Sequence, residues 1–138
     1  MKGFSIIELI VVVAIIGILA AVGIISYNGY VENTKKNNAI NNLSNIFMAQ
    51  EEYIANNGVY HTTHSSTPCS GNNINDINEN VFEGTKVLDE SANRDYNYCI
   101  SNNSGDGSTF KAYAIRIGDT NNKLSIDNKN NLCKENCN

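Results

Sequence analysis

The sequence predicts an α+β fold: a long N-terminal α-helix, membrane-spanning in its first half, packed on a small antiparallel β-sheet head. Three observations predict it. The front of the chain is an unbroken apolar run. Behind it the apolar residues fall on one side of a helical wheel, with no proline from Ser5 to Asn56. The last third alternates apolar and polar residues between clusters of Asn, Gly and Ser, as short strands do.

Residues 4–25 number 22 and would rise about 33 Å as a helix, enough to cross a bilayer. Glu8 is the only charged side chain among them. A carboxylate at mid-membrane costs roughly 2.5–3.5 kcal/mol, less near the interface. A plain anchor would carry an apolar residue there, so Glu8 reads as functional and calls for a cationic partner. Gly17 and Gly23 interrupt the run, each at about 0.8–1.0 kcal/mol of helix propensity relative to Ala. Two readings stand side by side: local loss of helical order, or close helix packing through Gly17, Ala20, Ala21 and Gly23. Tyr27 and Tyr30 suit a membrane interface. Beyond Ile25 the stripe Ala39, Leu43, Ile46, Phe47, Tyr53, Ile54 marks a helix that packs by one face. Asn56-Asn57-Gly58 ends it, with Gly58 fit for a left-handed cap.

Residues 59–95 read as a polar loop with turn signals at Ser65-Ser66-Thr67-Pro68 and Gly71-Asn72-Asn73. Its apolar pairs Val81-Phe82 and Val87-Leu88 are expected against the core. Strands follow at 96–101, 109–118 and 123–127. The second sets Phe110, Ala112 and Ala114 against Lys111, Tyr113, Ile115 and Ile117. Three strands in a meander, covered on one face by the helix, make the head. The tail, 128–138, is polar. Behind residues 1–3, the expected organisation is an apolar helix at 4–25, its amphipathic continuation at 26–58, and a head at 59–138 divided into loop (59–95), sheet (96–127) and tail (128–138).

The chain has 138 residues, a net charge of −4 and a hydrophobic fraction of 41%, which allows one domain beside the apolar segment. The acidic balance argues against a nucleic-acid surface spread over the head, and Lys35-Lys36 reads as a solvated helix face. Cys69, Cys99, Cys133 and Cys137 all follow the apolar segment, an even set that reads as two disulfides in an exported domain. Of three pairings, Cys69–Cys99 with Cys133–Cys137 closes the shorter loops. Zinc on Cys133, Cys137, His61 and His64 lacks a recognised finger spacing. Asp106 between two glycines reads as a turn, since a calcium loop needs more oxygen ligands. Asn42-Leu43-Ser44 and Asn102-Asn103-Ser104 match a glycosylation pattern that an Asn-rich chain meets by chance. No nucleophile elbow, phosphate loop or paired acids occur, so neither an enzyme nor a cofactor or metal is expected.

Gly3-Phe4-Ser5-Ile6-Ile7-Glu8 resembles the processing site of type IV pilins and pseudopilins. The resemblance covers about the first thirty residues. It implies that a prepilin peptidase cuts between Gly3 and Phe4 and methylates the new Phe4 amine, leaving a leader short for the family. It implies that Glu8 pairs with the Phe4 amine of a neighbouring subunit during assembly. The implied protein is a major pilin: an inner-membrane precursor, then a helical homo-oligomer built by pilus machinery on the bacterial surface, with adhesion, motility or DNA uptake as fibre roles. Many relatives carry a proline where this chain has Ile25, a departure from the family; Gly17 and Gly23 still permit the helix melting that some of them undergo, beside the reading of close packing. Two alternatives stand beside it. A pseudopilin of type II secretion shares the front end, though the best-known ones bind calcium in the head in place of cysteine staples. A monomeric membrane-anchored binding domain would need neither Glu8 nor a cut after Gly3.

Overall fold

A computed structural model describes residues 3–65, 69–102 and 104–137 of the chain. The chain is α+β: a long N-terminal helix, α1 (Ile6–Asn57), a short helix, α2 (Ile74–Asn80), and four strands, β1 (Tyr96–Ser101), β2 (Lys111–Arg116), β3 (Lys123–Asp127) and β4 (Leu132–Cys133). It divides into two compact units, one ending at Lys36 and one starting at Asn37.

The first unit is the front of α1. Its large apolar side chains from Phe4 to Ile24 lie open, as do Tyr27 and Tyr30. This part of α1 is long and apolar enough to cross a membrane. Among the described residues of the unit, nothing covers its apolar surface, since one helix has no second face to pack on.

The second unit builds a core. Ala39, Leu43, Ile46 and Gln50 are buried, at spacings of four, three and four that put them on one helical face. α1 ends where Gly58 adopts a φ of 77°, its N–H bonded to the Ile54 carbonyl at 2.8 Å. The sheet is antiparallel throughout, in the order β1-β2-β3-β4. Its register aligns Tyr98, Ala114 and Leu124 in one row and Ile100, Ala112, Ile126 and Leu132 in the next. These rows set alanines between larger side chains, and Leu43 and Ile46 of α1 share their core. The opposite face carries Cys99, Tyr113 and Ile115 under Cys69. Both faces of β2 are therefore covered, and four consecutive residues from Ala112 to Ile115 are buried. The alternation in that strand separates two cores, not core from solvent.

Several expectations need correction. α1 begins at Ile6, not Phe4. The 59–95 segment is not all loop, because it holds α2. Asn and Asp are poor helix formers, and only Ile74, Ile77 and Val81 mark its apolar side; their burial in the core overrides propensity. Val87 lies open while Leu88 is buried. The sheet has a fourth strand, two residues long, too short to leave a periodic signal. Met1, Lys2, the turn residues Ser66, Thr67 and Pro68, Asn103 and Asn138 lie outside the described residues.

Candidate functional site

The site is the start of α1. Ser5 immediately precedes the helix, and its carbonyl accepts the N–H groups of Glu8 at 3.1 Å and Leu9 at 3.3 Å. Three residues into the chain from that cap, the Glu8 carboxylate turns back and accepts the Ser5 backbone N–H at 3.1 Å through Oε2. This is the return arm of a capping box, the S-x-x-E arrangement that satisfies a donor left unpaired at a helix N-terminus. A negative charge there also complements the positive end of the helix dipole. The signal stood in the sequence as Ser5-Ile6-Ile7-Glu8, and reading Glu8 only as a charge in search of a cation missed it.

The cap engages one carboxylate oxygen. An ionised carboxylate has about four lone-pair sites, so Glu8, which is exposed, retains capacity for an amine. Phe4 lies just ahead and is 82% exposed. Gly3 is exposed, and a Cβ placed there, or at Gly17 or Gly23, would meet nothing within 4 Å. α1 runs unbroken through Gly17 and Gly23. In a single chain these glycines leave open notches on an apolar helix.

The other residues singled out from the sequence lie in the second unit. Cys69 bonds Cys99, and Cys133 bonds Cys137. The first disulfide is buried; it ties the segment entering α2 to β1. The second closes a short ring after β4, where the Cys137 N–H donates to the Lys123 carbonyl at 3.2 Å. His61 meets Asp76 of α2 at 2.8 Å and the edge of the Tyr53 ring, apart from the bonded cysteines. Asp106 accepts from the hydroxyl of Ser104 and from the Ser108 N–H. These bonds hold its carboxyl at about 2, the Ser104 hydroxyl contributing most. Asn102 accepts from the N–H groups of Ser104 and Gly105, and Asn42 donates to the Tyr98 hydroxyl at 3.0 Å. Both glycosylation matches thus fall on side chains already engaged.

Gln50 was not singled out from the sequence, yet it is buried on the helix stripe. Its amide donates to the His61 carbonyl at 2.7 Å and accepts from the His61 N–H at 3.0 Å. Asn78 does the same for Leu88, donating to its carbonyl and accepting from its N–H, both at 3.0 Å. Each amide stands in for a strand partner and pins a loop whose backbone would otherwise be buried unpaired.

The fold and the site define a class: an apolar leading helix, capped by a carboxylate, that continues into a small α+β head. Comparison with known proteins narrows it. The family model of the prokaryotic N-terminal methylation motif matches residues 1–24. Among curated proteins, the chain is 42% identical over 59 residues to the fimbrial protein EcpC of Eikenella corrodens, covering 43% of this chain and 39% of that one. It is 47% identical over 53 residues to a fimbrial protein of Pseudomonas aeruginosa, 38% of this chain and 34% of that one. It is 41% identical over 59 residues to the type IV major pilin protein PilE of Neisseria gonorrhoeae, 43% of this chain and 35% of that one. The chain thus spans well under half the length of these relatives. No solved structure matches it. The motif and the relatives together support a type IV pilin.

Proposed function

We propose that this chain is a structural subunit of a type IV pilus filament. The observation that carries the reading is Glu8: a single carboxylate on an otherwise apolar, open helix, held at the helix start with hydrogen-bonding capacity left over. Cleavage after Gly3 creates a free Phe4 amine four residues from Glu8. The capping bond to Ser5 lowers the cost of keeping the carboxylate in the membrane before assembly. Within the filament the same carboxylate meets the Phe4 amine of an adjacent copy, away from water. Loss of one partner from such a desolvated pair costs about 3–5 kcal/mol, so a subunit docks stably only in the register that joins the two charges. The apolar side chains that faced lipid then face neighbouring helices, an exchange of like surroundings with little net cost. Gly17 and Gly23 allow either close helix approach or local unwinding there. The heads lie outside, stapled by their two disulfides. Adhesion, motility and DNA uptake are fibre roles open to such a subunit.

Mass spectrometry of native surface material tests the reading. The expected mature chain begins at N-methylated Phe4 and comes from sheared fibres that electron microscopy can see. Single molecules with an intact Met1 would overturn it in favour of a tethered head. Loss of an exported enzyme on gene deletion, with fibres unaffected, would move the chain to the secretion pseudopilins.

A further inference from the structure

A groove of about 490 Å³ lies between the last turns of α1 and the segment that follows α2. Glu52, Tyr53 and Asn56 line one wall, and Phe82, Glu83 and Thr85 the other. Among the described residues, no Lys, Arg or His lines it. Glu52 and Glu83 are exposed, and neither side chain makes a hydrogen bond or ion pair with a described residue. Glu83 sits at a φ of 52°, followed by Gly84 at 82°. A glycine would hold that left-handed position with less strain, yet the chain sets a carboxylate there. Two unpaired acids flanked by two aromatic rings fit a basic side chain: the rings take its methylene stem and the acids its charge.

The chain carries a matching group. Lys134 is exposed, makes no hydrogen bond or ion pair with a described residue, and stands inside the ring closed by Cys133–Cys137. That ring limits the freedom Lys134 loses on docking. The groove and the lysine belong to different segments of the head: the groove is lined by α1 and the segment after α2, the lysine lies in the tail. α2 packs on β1, where the Asn73 N–H donates to the Tyr98 carbonyl at 3.0 Å. Lys134 follows β4, the far strand in the order. We propose that the groove between α1 and the segment after α2 receives Lys134 of a second copy of this chain. The contact joins unlike patches, so it repeats from copy to copy and builds an open filament when the rotation does not close. This rests on the filament reading above and names a head-to-head contact for it.

Zero-length carbodiimide cross-linking of sheared filaments of the unmodified chain, followed by peptide mass spectrometry, tests it. The expected product joins Lys134 to Glu52 or Glu83 in species of dimer size and larger. Filaments in which these glutamates link to other lysines of the chain, to another protein, or to nothing overturn the contact and leave the filament reading standing. Absence of any filament rejects both. Charge exchange gives a second readout. Lys134→Glu should lower filament yield several-fold through like-charge repulsion, and adding Glu52→Lys with Glu83→Lys should restore it. A triple variant no better than Lys134→Glu overturns the proposal. All three positions are exposed, and the masses of the two disulfide-linked peptides verify that the head has folded.

Discussion

The two parts of α1 share a backbone and differ in what their side chains meet. Up to Ile24, large apolar side chains lie open; from Ala39 to Gln50, one residue in every three or four is buried in the head. A soluble domain gains stability by removing apolar surface from water. The front of this helix leaves its apolar side chains open and is long and apolar enough to cross a membrane. The second part carries its own partners, in β1 to β3 and α2. One helix therefore combines a part packed into a core with a part whose apolar surface lies open.

Breaking the front alone should give the largest effect. Glu8→Val is expected to leave a folded, membrane-held chain and to remove about 3–5 kcal/mol from each subunit contact that pairs Glu8 with an amine. Fibre yield by shearing and microscopy reads this, and normal fibres would refute the role given to Glu8. In the head, Leu43→Ala should cost about 2–5 kcal/mol of stability as a core truncation, followed by denaturant unfolding of the full chain in detergent. Leu19→Ala, in the open front, should change that stability by less than about 0.5 kcal/mol. Equal losses at the two positions would erase the contrast between the two parts.

Alkali sharpens the same contrast. Burial pushes the Tyr98 hydroxyl up to about 12 from 10.0, against a smaller opposing pull from the Asn42 amide. A raised pKa means the fold prefers the protonated phenol. Its contribution is therefore full below the ordinary value and declines as pH rises from about 10 to 12, by about 2–3 kcal/mol in all. Denaturant midpoints at pH 9 and pH 12 measure it, and Tyr98→Phe should remove that part of the decline. Gly107→Ala comes next. A Cβ there would lie 2.9 Å from Cβ of Val59, at a φ of +75°. About 1–3 kcal/mol of head stability should be lost, read as a lower melting temperature. The smallest effect is at acid pH. Asp106 is held low by the Ser104 and Ser108 hydrogen bonds, so its contribution is present above the ordinary carboxylate range and fades as pH falls towards about 2. Asp106→Asn should flatten that small acid limb of the stability curve. A limb of unchanged steepness would show that the loop adds nothing.

Much of this was legible because it rests on local periodicity. The apolar run, the stripe from Ala39 to Ile46, the stop at Gly58 and the strands at 96–101 and 123–127 each announce themselves within one turn or one alternation. α2 did not, because its Asn and Asp residues speak against a helix and only burial of Ile74, Ile77 and Val81 speaks for it. Gln50 looked like a surface amide until the loop at His61 closed over it. The groove beside Tyr53 and Phe82 joins residues about thirty positions apart, and no local pattern brings such residues together.

The order of residues alone determined that a carboxylate stands within an apolar helix and that a one-sided helix and short strands follow, since charge, hydropathy and period are properties of neighbours in the chain. Only the tertiary structure decided which amides became clamps, which acids stayed unpaired and which face of β2 met which core, because those outcomes depend on which distant segments exclude water from one another.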